Sequence, residues 1–221
     1  MCKSGLRLFA LKIGQQLSQL EWDAFILNLP DEDCIRLMKY KHWKDRQRHL
    51  LGNLVVRWTI RRFTDEQQPV QFARNKAGRP YLIGSDSWNG DFNLSHSGDW
   101  LVVAFAEKGC VGIDIEKIGE LNEEVMAYIM SQAEIKMIHQ RPEIDRKCLF
   151  YELWTRKESI YKTGLFPNAT PKSLDTVQVT NKFQKIYTHS FYVDPEHPVS
   201  ISWNEGMPPD ELTVLDRCLL V

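Results

Sequence analysis

Three acidic residues in two short segments carry the clearest chemical signal in this chain. Asp114 and Glu116 lie in Val111-Gly112-Ile113-Asp114-Ile115-Glu116, and Glu158 lies in Trp154-Thr155-Arg156-Lys157-Glu158-Ser159-Ile160-Tyr161-Lys162. On a strand, the i, i+2 spacing turns both carboxylates of the first segment to one face and Ile113 and Ile115 to the other. Such a pair repels itself unless a cation or a basic partner stands nearby. On a helix, Trp154, Glu158 and Lys162 share one face because they are spaced by four. Singly, the first pair reads as an exposed strand face, and Glu158–Lys162 as a helix salt bridge of about 0.3–0.5 kcal/mol. Together, three oxygen ligands from two elements, with lysines close by, suit a hard cation holding a phosphorylated ligand. Magnesium fits best, since it takes a few carboxylates plus substrate phosphates in preference to a full protein cage.

The elements that must position these groups can be read from periodicity. Leu6–Ile13 reads as a strand, and residues 18–29 as an amphipathic helix with Ser18 as its N-cap. Pro30-Asp31-Glu32-Asp33 opens another helix with acids in its first turn. A long helix is expected from about Lys44 to Phe63, with Leu50, Leu51, Leu54, Val55 and Trp58 at helical spacing. Short strands are expected at Gln71–Phe72, Tyr81–Ile83, Asp91–Ser95, Leu101–Glu107 and Cys110–Glu116. Helices should follow over roughly 121–140 and 144–163, separated by Pro142. The remainder reads as strands at Thr176–Thr180, Phe183–Tyr192, Val199–Trp203 and Leu212–Leu220. The mixture predicts an α+β fold without internal repeats.

The 221 residues suffice for one large domain or two small, closely packed ones. The net charge of −1 argues against general nucleic-acid binding and against attraction to a membrane surface. Charge is uneven, however: nine Lys or Arg face one acid between Arg36 and Arg62, whereas nine acids face four basic residues between Glu107 and Asp145. A basic half opposite an acidic half suits an anionic ligand held on one side and metal-bridged on the other. The five cysteines are scattered without a C-x-x-C pair, which argues against a disulfide framework or a zinc site and for a reduced, cytoplasmic setting. No signal-peptide pattern opens the chain and no run of eighteen apolar residues occurs. Neither a G-x-x-x-x-G-K-(S/T) nor a G-x-G-x-x-G loop is present. Ser95 and His96 are neighbours on an expected strand, so they point apart, and no G-x-S-x-G elbow supports a hydrolase dyad.

The two acidic segments together resemble the paired signatures of the 4'-phosphopantetheinyl transferases of the surfactin-synthetase-activating type, (V/I)-G-(I/V)-D-x-E and W-x-x-K-E-(A/S)-x-x-K. The resemblance runs from about residue 31 to 165. It implies two similar α/β halves related by a pseudo-two-fold axis, divided near residue 106 into 1–106 and 107–221. Coenzyme A would lie between them, and a monomer would suffice. It implies transfer of the 4'-phosphopantetheine arm of coenzyme A to a serine of an acyl or peptidyl carrier protein, releasing adenosine 3',5'-bisphosphate.

By the same resemblance, Asp114, Glu116 and Glu158 would hold magnesium, with manganese as an alternative. Lys162, and with it Lys157, would face the pyrophosphate, and Lys162 would stabilise or protonate the leaving group. Glu158 is one candidate base for the carrier serine. Glu134, in a segment similar to a looser family motif, is another. Asn93-Leu94-Ser95-His96-Ser97 resembles a family segment whose Ser and His contact phosphate, which assigns Ser95 and His96 to coenzyme A. Gly78-Arg79-Pro80 resembles the family's G-K-P, with Arg79 as a phosphate contact. Arg36 and Arg48 fall where basic residues meet the 3'-phosphate, the latter within Arg48-His49-Leu50-Leu51-Gly52, similar to R-x-L-L-G. Asp33 departs from the lysine expected there; Lys39, Lys41 or Lys44 could substitute.

Two other functions stand beside this one. The basic 36–62 helix, with Trp43 and Trp58, could bind nucleic acid, with steep salt dependence as its mark. The carboxylates could instead activate water in a metal-dependent phosphoesterase, breaking coenzyme A without any carrier.

Overall fold

Two sheets packed face to face position everything that follows. The computed structural model describes residues 5–64, 70–76, 78–84, 88–176 and 186–220. The expected strand at 176–180 lies almost wholly outside them. The first half contains β1 (Leu6–Lys12), α1 (Gln19–Ile26), α2 (Asp31–Leu37), α3 (Trp43–Phe63), β2 (Gln71–Arg74), β3 (Pro80–Ile83), β4 (Asp91–Ser97) and β5 (Trp100–Ala106). It is followed by β6 (Val111–Ile115), α4 (Glu123–Ile129), α5 (Gln132–His139), α6 (Glu143–Lys162), β7 (Tyr187–Asp194), β8 (His197–Trp203) and β9 (Thr213–Leu215). The architecture is mixed α and β, as expected.

The strands order as β4-β5-β1-β9 in one sheet and β6-β8-β7 in the other, with β2-β3 as a separate hairpin. Strand β5 explains the packing. Leu101, Val103 and Phe105 join a core with Leu50, Leu51, Leu54 and Val55 of α3. Trp100, Val102, Ala104 and Ala106 join a second core with Val111, Ile113 and Ile115 of β6 and Val199 and Ile201 of β8. Both faces of β5 are covered, so its sequence is an unbroken apolar run. Strand β6 is covered on one face by that second core, which turns Gly112 and Asp114 to the opposite side, toward α6.

Three local expectations are corrected. The helix expected over 121–140 is two helices. Ser131 takes extended backbone and forms a capping box with Glu134, ending the first and starting the second. The C-terminal strand is three residues long and gives way to a 3-10 turn at Arg217–Leu220. The last fifty residues, expected to complete the second sheet, do so in part: β7 and β8 join β6, whereas β9 runs parallel to β1, and Leu215 and Leu220 enter the first core. The N-terminal expectations fare better, with Ser18 capping α1 through a box with Glu21.

Candidate active site

The seam between the two sheets is made by one face of β4. Asp91, Asn93, Ser95 and Ser97 alternate along the strand and meet β6 in register. Asp91 Oδ2 accepts from Val111 N at 2.8 Å, and Asn93 Oδ1 accepts from Ile113 N at 3.0 Å. Ser95 Oγ donates to Asp114 Oδ1 at 2.8 Å, and Ser97 Oγ donates to Glu116 Oε2 at 2.9 Å. The first two bonds satisfy strand N–H groups; the last two orient the acids. The alternation D-x-N-x-S-x-S is legible in sequence, yet sequence reasoning used only its Ser95.

Helix α6 crosses the same face of β6. At Gly112 a Cβ would overlap the main-chain carbonyl oxygen of Ser159, so only glycine admits this approach. The helix face against the sheet is correspondingly small: Thr155 Oγ1 meets Ser200 Oγ at 2.9 Å, and Ser159 Oγ meets Ser202 Oγ at 2.8 Å. This contact brings Trp154, Glu158 and Lys162 against Asp114 and Glu116 in one hollow of 390 Å³, with Leu94, Ser95 and His96 on its wall. The three acids and Lys162, expected from two separated segments, do converge.

The hollow holds more negative charge than its one ammonium can balance. Lys162 Nζ lies 2.6 Å from Asp114 Oδ1 and donates to Ser95 Oγ at 2.9 Å. Asp114 Oδ2 is buried and accepts no hydrogen bond from any described residue. Burial pushes the Asp114 carboxyl up, against the pull of Lys162 and Ser95. Burial and then the charge of Asp114 raise Glu116 to about 7, and the same two causes raise Glu158. Carboxylates so pressed favour a proton or a cation. Among the described residues no group of three or more His, Cys, Asp or Glu side chains is arranged to hold a metal ion by itself. An orphaned buried carboxylate oxygen beside two further acids, open to a cleft, fits a hard cation that completes its shell with ligand and water oxygens.

A second cavity of 590 Å³ shares Leu94 and His96 with the hollow, so the two adjoin. Arg36, Lys39, Arg48, His49 and Arg74 line it. Arg48 is braced by Asp45 Oδ1 at 2.8 Å and Gly98 O at 2.7 Å. His96 stands at the junction; desolvation by the enclosing walls, followed by the charge of Arg48, lowers its pKa. His49 is lowered by burial and then by Arg74. Arg74 and His49 were missed because nothing in their local sequence marks them; tertiary folding brings them in. Asp33, at the position where a lysine was expected, lines this cavity too, but pairs at 2.5 Å with the buried Arg57.

Two expected site residues go elsewhere, and a third, Arg79, lines a neighbouring cavity of 420 Å³ with Glu158 and Lys162 while its guanidinium is held by internal acceptors. Glu134 is fully buried: one oxygen closes the capping box at Ser131 N and lies 2.7 Å from Lys157 Nζ, and the other accepts from Thr176 N and Oγ1. Lys157, 1% exposed, also donates to Pro171 O and Leu174 O, each at 2.9 Å, so its ammonium has three acceptors inside the protein. Neither lines the acidic hollow. Arg79 pairs with Asp91 at 2.5 Å and donates to Phe92 O, Val111 O and Lys162 O. Its guanidinium staples the end of α6 to the seam.

Comparison with known proteins matches both halves of the chain. Residues 16–108 match a family model described as 4'-phosphopantetheinyl transferase, N-terminal, and residues 110–207 one described as the 4'-phosphopantetheinyl transferase superfamily. The chain is 25% identical to the 4'-phosphopantetheinyl transferase Sfp of Bacillus subtilis (strain 168), across 95% of this chain and 97% of that one. A second Bacillus subtilis 4'-phosphopantetheinyl transferase, ffp, is 28% identical over the same shares. The 4'-phosphopantetheinyl transferase gsp of Aneurinibacillus migulanus is 27% identical over 71% of this chain and 65% of its own.

Proposed function

The chain belongs to the 4'-phosphopantetheinyl transferase superfamily, and from that premise we propose that this transferase moves the 4'-phosphopantetheine arm of coenzyme A to a carrier-protein serine. The observation that carries the reading is the convergence of Asp114, Glu116, Glu158 and Lys162 in one hollow that adjoins a basic cavity. The basic cavity suits the phosphorylated ribose of coenzyme A, with Arg36 and Arg48 as cations and Arg74 beside them. The hollow suits the pyrophosphate.

Asp114, Glu116 and Glu158 would hold magnesium, or manganese, which when bound supplies Lewis acidity at the pyrophosphate. The carrier serine Oγ forms a bond to the phosphorus that bears the pantetheine arm, and the bond from that phosphorus to the bridging oxygen breaks. Adenosine 3',5'-bisphosphate leaves with the bridging oxygen and its electron pair. Glu158, with its raised pKa and its place on the wall of the hollow, is the group proposed to take the serine proton. Lys162 offsets the negative charge that grows on the leaving group. His96 and Ser95 orient the phosphates from the opposite wall.

Two α/β halves, 1–106 and 107–221, related by a pseudo-two-fold axis and working as a monomer, complete the reading. The setting proposed is the cytoplasm; no described helix is long and apolar enough to cross a membrane. The test is intact mass spectrometry of an apo carrier after incubation with this protein, coenzyme A and magnesium. A gain of one phosphopantetheine, lost on chelation and in Asp114→Ala, is expected. An unmodified carrier with coenzyme A cleaved in the same tube would instead establish a phosphoesterase.

A further inference from the structure

The hairpin joining β7 to β8 lies outside the hollow, yet its side chains reach the turn that joins β4 to β5. Asp194 Oδ1 is 2.7 Å from His197 Nδ1 and accepts from Glu196 N at 2.9 Å, while Oδ2 accepts from Trp100 Nε1 at 2.7 Å. Burial acts to raise this carboxyl, but the donors His197, Trp100 and Glu196 outweigh it and hold it at about 2. His197 is 5% exposed, and its Nε2 has no hydrogen-bond partner among the described residues. That nitrogen presses on Gly98, where a Cβ would lie only 2.5 Å away. Gly98 also needs its left-handed backbone, φ +56°.

Both ends of the proposed site hang from this one turn. Gly98 O receives Arg48 Nη2 at 2.7 Å. Ser97 Oγ donates to Glu116 Oε2 at 2.9 Å and accepts from Lys117 N at 2.9 Å. The hairpin grips the same segment through its main chain, since Glu116 N donates to Pro198 O at 3.2 Å and Ile118 N to Glu196 O at 2.8 Å. A glycine turn is conformationally permissive on its own. Here a buried imidazole, fixed by an ionised carboxylate, closes off its alternatives.

We infer that Asp194 and His197 are positioning residues: they clamp the Ser97–Asp99 turn, and the turn sets Glu116 in the acidic hollow and Arg48 in the basic cavity together. The inference rests on the proposed cation and coenzyme A sites. Groups that orient metal ligands and phosphate-binding side chains affect binding strongly even though they touch neither ligand.

The test compares wild type with His197→Leu in the carrier assay. Readouts are KM for coenzyme A, the magnesium concentration at half-maximal rate, kcat, and coenzyme A affinity by calorimetry. His197→Leu should raise both KM and the magnesium requirement by about tenfold, with kcat at saturation falling less than about threefold. His197→Asn, which keeps an amide donor for Asp194 but lacks the ring atoms that meet Gly98, should show the same loss, and recovery by it would overturn a clamp on the turn. A lower melting temperature with unchanged KM and magnesium requirement would reduce the pair to a structural role and overturn the inference. Should His197→Leu fail to fold, Trp100→Phe decides, since it deletes one donor to Asp194 and keeps an aromatic ring. A rise in both quantities supports the clamp, and no rise overturns it. A wild-type protein that neither binds coenzyme A nor modifies a carrier would remove the functional reading and the clamp with it; an active wild type with silent variants removes the clamp alone.

Discussion

Lys157 and Lys162 leave helix α6 little more than a turn apart, each to a carboxylate within 2.7 Å, and their surroundings could hardly differ more. The Lys157–Glu134 pair is 1% and 0% exposed, with acceptors for all three ammonium hydrogens and donors for both carboxylate oxygens. The Lys162–Asp114 pair opens on a cleft, its lysine side chain 28% exposed and one Asp114 oxygen without a partner among the described residues. A closed ion pair has nothing left to offer a ligand; an open one does. The two lysines sit in one sequence motif, and only their surroundings separate an internal brace from a group available to a substrate.

Replacing one member of the closed pair should have the largest effect on folding. Lys157→Met leaves Glu134 charged and buried, and should cost about 3–5 kcal/mol. Urea denaturation measures it. The double variant Lys157→Met, Glu134→Gln should recover much of that loss, because no lone charge remains. A loss below about 1 kcal/mol in the single variant would mean that water reaches the pair and the contrast with Lys162 is false.

The open pair should respond the other way round. Lys162→Met leaves Asp114 buried but open to a proton or a cation from the cleft, so it should cost less stability than Lys157→Met, yet lower kcat by about 10²–10³ in the carrier assay. Asp114→Ala should remove turnover at least as fully. If Lys162→Met unfolds the protein instead, Lys162 is a second brace.

Gly112→Ala sharpens the comparison by moving the helix that carries both lysines. Its methyl group would collide with the Ser159 carbonyl and push α6 off β6. Overpacking of this kind typically costs about 1–3 kcal/mol. Turnover should fall further than stability alone explains, because Glu158 and Lys162 would withdraw from Asp114. In the Lys157–Glu134 pair the lysine rides on the same helix, two residues from that contact, so a double-mutant cycle between Gly112→Ala and Lys157→Met should be non-additive, with a coupling of about 0.5–3 kcal/mol.

Much of this was legible before any coordinates. The strand alternation of Asp114 and Glu116 and the helical spacing of Trp154, Glu158 and Lys162 each fix a face, and both faces proved to meet. Spacing cannot say which side of a helix is sealed. Lys157 precedes Glu158 on α6 and was read as a phosphate contact, whereas the 170–174 turn covers it. Glu134 shows a signal that was available: Ser131-Gln132-Ala133-Glu134 is a capping-box sequence, and its weight fell on chemistry when the spacing already announced a helix start. Arg79 was assigned from the resemblance of Gly78-Arg79-Pro80 to G-K-P, and only the folded chain shows its charge held by Asp91 and three carbonyls. The return of β9 to the first sheet had no local mark at all, since three residues carry too little pattern to name a partner.

The smallest effect should come from pH, through Glu116. Its carboxyl, ordinarily near 4.5, is raised to about 7 in the folded protein, so folding favours its protonated form. That contribution is fully present below about pH 4.5 and is lost as pH rises through 7. Taken alone, this group therefore makes the metal-free protein less stable at pH 8 than at pH 6. A divalent cation reverses the sense, because it requires the carboxylate and displaces the proton. Magnesium affinity should climb by up to about tenfold per pH unit below 7 and level off above it. Thermal melts with and without magnesium across this range should show a metal-induced stabilisation that grows with pH. In Glu116→Gln the growth should flatten, as the titrating group is gone while Ser97 can still donate to the amide oxygen. A pH dependence that persists unchanged in Glu116→Gln would move the titration to Asp114 or Glu158, and would show that the open pair, with its unpartnered oxygen, carries the proton as well as the ligand.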